Sequence, residues 1–237
     1  MPYREIHGNL FASNAEALVN TVNCVGPMGK GIALEFRRRY PDMFLAYKDV
    51  CGRRLLKPGM VLPYLKGRPW ILNLAVKNDW KHPSKVEWVE ECLQKFVDWY
   101  PTVGLTSVAF PWMGAMNGRI PLKLIQETMR FYLSDLSDID VEVYSFDPDA
   151  PDPLFEKLLE LRRTIEPDDF ASRSNVSKSK AKMLYGVLDE VEVTSITHVV
   201  QSGLFGKTVL DRLYWFVAEQ FSEAGEPIRE QLELFSG

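Results

Sequence analysis

Ala17-Leu18-Val19-Asn20-Thr21-Val22-Asn23-Cys24-Val25-Gly26-Pro27-Met28-Gly29-Lys30-Gly31-Ile32-Ala33 decides how the rest of the chain is read. The run begins as a short buried strand, breaks into a glycine-rich loop and re-enters as a helix. Leu18, Val19 and Val22 suit a strand interior. Gly26, Gly29 and Gly31 permit positive φ and let backbone come close to a ligand. Ile32, Leu34 and Phe36 begin a helix that Arg37, Arg38 and Arg39 help to close. A strand, a glycine loop and a helix N-terminus together make an anion cradle, because free N–H groups and the positive end of the helix dipole face the same point. Asn20 and Asn23 are expected at the C-terminal edge of the sheet, where open α/β folds bind ligands. Neither the Walker nor the Rossmann glycine spacing is present, so this is a phosphate loop of another kind.

Outward from this run, strands and helices alternate. Strands are expected at 17–23, 59–64, 69–76, 107–110 and 141–146. Residues 31–50 read as helical with an interruption before Pro41, and 85–99 and 122–133 read as helices. Val86, Val89, Leu93 and Phe96 recur at helical spacing. Alternation of this kind implies a mainly parallel sheet with helices on both faces. After Phe146 three prolines fall within seven residues, 147–153, and read as a linker. One helix is expected at 154–163, then a break at 166–177, then helices from Lys178 onward.

Composition narrows the function classes. The chain has 237 residues and a formal net charge of −4, which gives no global pull towards nucleic acid or anionic membrane. The excess acid lies in residues 151–237, which carry 10 Lys and Arg against 15 Asp and Glu. Three cysteines, Cys24, Cys51 and Cys92, cannot all pair, and a reducing compartment is expected. His7, His82 and His198 lack metal-ligand spacing, so no metal is expected. Residues 1–5 do not read as a signal peptide and no apolar run reaches transmembrane length, so the expectation is a soluble cytoplasmic protein without a membrane partner.

A second strand-loop-helix element follows at Pro111-Trp112-Met113-Gly114-Ala115-Met116-Asn117-Gly118-Arg119-Ile120. Two such loops facing each other over a sheet edge would wall a diphosphate, with Gly114 and Gly118 admitting close approach. Lys77 ends the strand that begins near Trp70 and projects at the same edge. A lysine beside a desolvated pocket can serve as acid or nucleophile if its pKa falls.

These residues carry a family resemblance. Residues from about 8 to 146 resemble the macrodomain, an ADP-ribose-binding module, and within it the DarG-type DNA ADP-ribosyl glycohydrolases, antitoxin macrodomains that remove ADP-ribose from thymine bases. The likeness lies in Glu16 to Gly26, in Met28-Gly29-Lys30-Gly31-Ile32-Ala33-Leu34, in Phe36, Tyr40-Pro41, Tyr47 and Pro58-Gly59, in Lys77 with Trp80 and Ser84 beyond, and in Val141-Glu142-Val143-Tyr144.

The resemblance implies a three-layer α/β/α fold with a mixed, mainly parallel sheet over 1–148; the proline-rich break and the helical pattern beyond it, outside the resemblance, predict a linker with one helix over 149–175 and a small all-α C-terminal domain over 176–237. It implies that Lys77 and Asn23 are catalytic, with Asn23 contacting the distal ribose. It implies a ligand-binding set of Asn9, Leu10, Asn20, Thr21, Gly26, Met28, Gly29, Lys30, Gly31 and Ile32. To these it adds Pro111, Met113, Gly114, Ala115, Met116, Asn117, Gly118 and Arg119. Asn9 stands where the family usually has an adenine-reading aspartate. ADP-ribose or an ADP-ribosylated substrate is the implied partner, with DNA and a toxin as further partners and no cofactor. Two departures stand out. Met116 and Arg119 replace glycines of the family's second loop, so that Met116 would crowd the phosphate and Arg119 would bind it directly.

Residues 195–202, 203–207 and 208–220 follow a helix-turn-helix pattern, with Lys207, Thr208, Asp211 and Arg212 expected to face a DNA groove. Three readings follow: a hydrolase releasing ADP-ribose from a nucleobase or other acceptor, a non-catalytic ADP-ribose-binding module, and an antitoxin-like protein acting through its helical tail.

Overall fold

In the computed structural model residues 3–221 are described, so the last part of the expected helical segment, 222–237, lies outside the described residues. They form a six-stranded sheet with helices on both faces. The strands are β1 (Tyr3–Gly8), β2 (Ala17–Asn23), β3 (Val61–Tyr64), β4 (Trp70–Lys77), β5 (Ser107–Pro111) and β6 (Asp140–Phe146). Their order is β1-β6-β5-β2-β4-β3. Every neighbouring pair is parallel except β3 with β4. The expected mixed, mainly parallel sheet is therefore observed.

The strands in the middle of the sheet are buried on both faces, which is why they read as apolar runs. On one face α1 (Gly31–Arg39) and α2 (Pro41–Gly52) pack Phe36, Met43 and Tyr47 against Leu18, Val22, Ile71 and Ala75. On the other, α3 (Val86–Trp99) and α4 (Leu122–Leu133) pack Val89, Phe96, Ile125 and Met129 against Val19, Leu74, Val108 and Phe110. One element differs from expectation near the N-terminus. Tyr3–Gly8 is a strand that sequence reading left out, because its side chains are mostly exposed or half-buried along a sheet edge and show no apolar run.

The helices beyond the sheet are α5 (Pro153–Thr164), α6 (Pro167–Ser174), α7 (Lys178–Leu188), α8 (Ile196–Gln201) and α9 (Lys207–Phe221). Helix α6 corrects the expected break at 166–177. Pro167 takes a position of its first turn and Asp168 and Asp169 follow in that turn, which are helix-start features. The expected linker at 149–175 is corrected with it. Leu154, Phe155, Leu158, Leu161 and Phe170 share one core with Leu184, Val199, Leu213 and Tyr214. The spacer is thus short and ends where Asp152 caps α5 through the Leu154 N–H.

This helical unit is fastened to α1. The carboxylate of Asp211 on α9 accepts from Arg37 Nη2 at 2.6 Å and Arg38 Nε at 2.9 Å. Asp152 pairs with Arg39 at 2.8 Å, and the Tyr214 hydroxyl donates to Glu35 at 2.8 Å. Arg39 also lies over the Phe11 ring at 4.3 Å. Arg38 is only 3% exposed, so its charge is stable there only while paired.

Candidate active site

Three adjacent parallel strands, β5, β2 and β4, end at one sheet edge. Their last residues are Pro111, Asn23 and Lys77. The first loop therefore leaves β2, the second leaves β5 and Lys77 terminates β4, all side by side. This arrangement is what the sequence pattern anticipated. A register shift between Val22 and Asn23 sets Asn23 opposite Lys77.

The first loop is built around Asn23. Its Oδ1 accepts from the N–H groups of Val25 at 3.0 Å and Gly26 at 3.1 Å, and its Nδ2 donates to the Pro27 carbonyl at 2.6 Å. Both lone pairs and one amide hydrogen are thus used within the loop, leaving one N–H for a ligand. The Tyr47 hydroxyl donates to the Asn23 carbonyl at 2.5 Å from beneath. Beyond this knot Gly29, Lys30 and Gly31 are exposed, and Lys30 caps α1 without a side-chain hydrogen bond. The first N–H groups of α1 consequently have no side-chain cap, the condition for anion binding at a helix start. Gly31 adopts φ 57°, a left-handed conformation that glycine holds without the Cβ penalty.

The second loop closes on itself. Ile120 N–H bonds the Gly114 carbonyl at 3.1 Å. A Cβ on Gly118 would overlap the Gly114 backbone, so Gly118 is required for this closure. Met116 is 81% exposed on this loop. Arg119 occupies the left-handed region at φ 62°, a conformation that glycine adopts more readily than a residue with a Cβ.

Asn117 joins the three parts of the site. Its carbonyl accepts from Lys77 Nζ at 2.5 Å, and a Cβ on Gly31 would overlap its side-chain amide. Burial, and then the nearby Arg119 charge, hold the Lys77 ammonium below the ordinary lysine range. Lys77 is thus a primary ammonium with a softened hold on its proton, fixed between two glycine loops.

Several residues expected to bind ligand have buried or internally bonded side chains. Leu10, Met28 and Met113 are core side chains at 3%, 1% and 0% exposure. Asn20 is fully buried, donating to Asn73 Oδ1 at 2.8 Å as part of a polar ladder that continues from Asn73 to the Leu62 carbonyl. Its place three residues before the strand end puts it under the first loop rather than at the edge. Asn9 caps the 3-10 turn Leu10–Ala12 by accepting from Phe11 N–H, and its amide donates to the Pro151 carbonyl at 3.3 Å. Thr21, Ile32, Pro111 and Ala115 are half-buried around the edge. The α9 expectation also changes. Asp211 faces α1, and Arg212 donates to the Asn175 carbonyl, so neither faces a groove. Lys207 and Thr208 remain exposed at the start of α9.

A family model described as Macro domain matches residues 19–129. The solved macrodomain of Thermus aquaticus DarG is 39% identical, with a TM-score of 0.57, over 60% of this chain and 97% of that one. The chain belongs to the macrodomain family. A structure of Thermosipho africanus DarTG in complex with ADP-ribose is 27% identical to this macrodomain protein, with a TM-score of 0.57, over 64% of this chain and 43% of that one. By sequence, a DNA ADP-ribosyl glycohydrolase of Thermus aquaticus is 33% identical over 99% of this chain, and the chain spans 64% of that relative's length. In this macrodomain the first loop, the second loop and Lys77 meet at one sheet edge, and the second loop carries Met116 and Arg119.

Proposed function

We propose that this macrodomain binds ADP-ribose across its two glycine loops and hydrolyses the bond joining the distal ribose to a nucleobase of DNA. The observation that carries the reading is Lys77. It ends β4 opposite Asn23, bonds the second loop through Asn117, and has its ammonium held below the usual range. The likeness to a DNA ADP-ribosyl glycohydrolase and to a DarG macrodomain supports the substrate class. The diphosphate would lie on the uncapped start of α1, with Lys30 and Arg119 on either side.

In the reaction the bond between the anomeric carbon and the base nitrogen breaks with its electron pair going to the base. Lys77 supplies a proton to the departing base, and water adds to the ribose carbon and restores the proton to the amine. The remaining Asn23 N–H orients the ribose. Asn9, held by Phe11 and Pro151, is left out of adenine recognition in this scheme. A DNA-modifying transferase is the fitting toxin partner, because it makes the bond that this reaction removes.

The test offers ADP-ribosylated single-stranded DNA, ADP-ribosylated protein and ADP-ribose 1″-phosphate to the wild type and to Lys77→Ala. The expected result is release of ADP-ribose from the DNA, lost in Lys77→Ala by a factor on the order of 100 or more. Calorimetric affinity for free ADP-ribose should remain within a few fold. Tight binding without turnover of any of the three would replace this reading with that of a binding module.

A further inference from the structure

The segment between β4 and α3 leaves the site with its apolar and cationic groups turned outwards. Trp80 is 55% exposed although it stands only three residues after Lys77. Lys81 and Lys85 are exposed beside it, and Lys81 Nζ lies 5.5 Å from the Trp80 ring centroid. The segment is fixed at both ends. Asn78 accepts from Cys24 N–H in the first loop at 3.1 Å, and Ser84 N–H donates to the Gly118 carbonyl in the second loop at 2.9 Å. Asp79 is turned back into the segment, accepting from Lys81 N–H at 2.9 Å, while Glu87 lies further on in α3. Trp80 therefore stands on a braced rim that continues into the second loop, where Met116 and Arg119 are also exposed.

An indole kept in water beside cations is costly unless something covers it. Among the described residues the ring stays 55% exposed, outside the adjoining core of Val89, Phe96 and Met113. A flat π surface with lysines and an arginine alongside has the chemistry that holds single-stranded nucleic acid: bases stack on the ring and phosphates meet the cations. A protein partner would gain little from this charge pattern.

We infer that Trp80, with Lys81 and Arg119 on the same rim, is a stacking platform for a nucleotide flanking the modified base in single-stranded DNA. This rests on the proposed hydrolase reading for its biological sense, but the platform can be tested without turnover. It makes Trp80 a specificity determinant: it favours a base presented in a strand over the same base as a free nucleoside.

Binding of an unmodified, fluorescently labelled thymidine 12-mer is measured by anisotropy for the wild type, Trp80→Ala, Trp80→Phe and Lys81→Glu. Trp80→Ala should weaken binding about tenfold, Trp80→Phe should restore most of it, and Lys81→Glu should weaken it and flatten its salt dependence. Free ADP-ribose affinity should stay unchanged in all three variants. With ADP-ribosylated oligonucleotide, Trp80→Ala should raise KM and leave kcat, whereas with ADP-ribosylated nucleoside neither should move. Equal oligonucleotide binding by the wild type and Trp80→Ala would overturn the inference while leaving the hydrolase reading intact. No turnover by the wild type, with the Trp80 effect on binding preserved, would overturn the hydrolase reading and leave the platform standing.

Discussion

The two ends of helix α1 are built on opposite principles. At its N-terminus Gly29, Lys30 and Gly31 are exposed and no side chain caps the first turn. At its C-terminus Arg37, Arg38 and Arg39 are drawn into ion pairs with Asp211 and Asp152, beside Tyr214. One end keeps backbone donors available to an anion. The other satisfies its charges inside the protein. The contrast teaches that a ligand site and an interface can share one short helix when the helix dipole favours anions at one end and cations at the other.

Four changes would break or sharpen this contrast. The largest effect is expected at the closed end. Asp211→Ala leaves Arg38 buried without its main partner and should cost about 3–5 kcal/mol of stability, read as a lower midpoint in urea. Affinity for ADP-ribose in folded protein should stay within about twofold, because Asn23 and Tyr47 set the first loop independently of α9. A matching loss of affinity would mean that the ends of α1 act as one.

At the open end, Gly31→Ala forces an L side chain into the left-handed region and against Asn117. It should weaken ADP-ribose binding about tenfold by calorimetry, in line with a strain of about 1–2 kcal/mol. Arg119→Ala tests the charge beside Lys77. Since burial and Arg119 both lower the Lys77 pKa, removing Arg119 should move it upwards. If Lys77 gives a proton, turnover is present below its pKa and is lost as pH rises through it. The falling limb of the pH–rate profile should therefore shift to higher pH in Arg119→Ala. A limb that stays in place would detach Arg119 from the Lys77 chemistry. The smallest effect is expected from Arg119→Gly, which relieves the φ 62° strain and should raise stability by up to about 1 kcal/mol in thermal melts, even as ADP-ribose binding weakens.

Much of the sheet was readable from local pattern. β2 and β4 are apolar runs because both faces are covered, and α3 and α4 show helical periodicity because one face is. Elements lacking such a pattern escaped: β1 at a sheet edge, and α6, whose Pro167-Asp168-Asp169 start resembles a loop. The glycine loops and Lys77 were legible for the same reason, since parallel strands deliver their ends to one edge. The burial of individual side chains along the loops was not. Met28 and Met113 stand next to site residues in sequence yet turn into opposite cores, and Asn20 sits one turn of pleat too deep.

The buried strands, the two loops and the lysine at the end of β4 follow from the chain's own pattern, because strand burial and glycine placement are local properties, whereas the order of the strands in the sheet was set on folding. The destination of the three arginines, the full use of the Asn23 acceptor and the bond from Lys77 to Asn117 were decided only on folding. Asp211 lies 174 residues from Arg37, and Lys77 lies 40 from Asn117. Charge pairing and hydrogen-bond saturation depend on which groups packing brings within about 3 Å, and no periodicity in sequence encodes that distance.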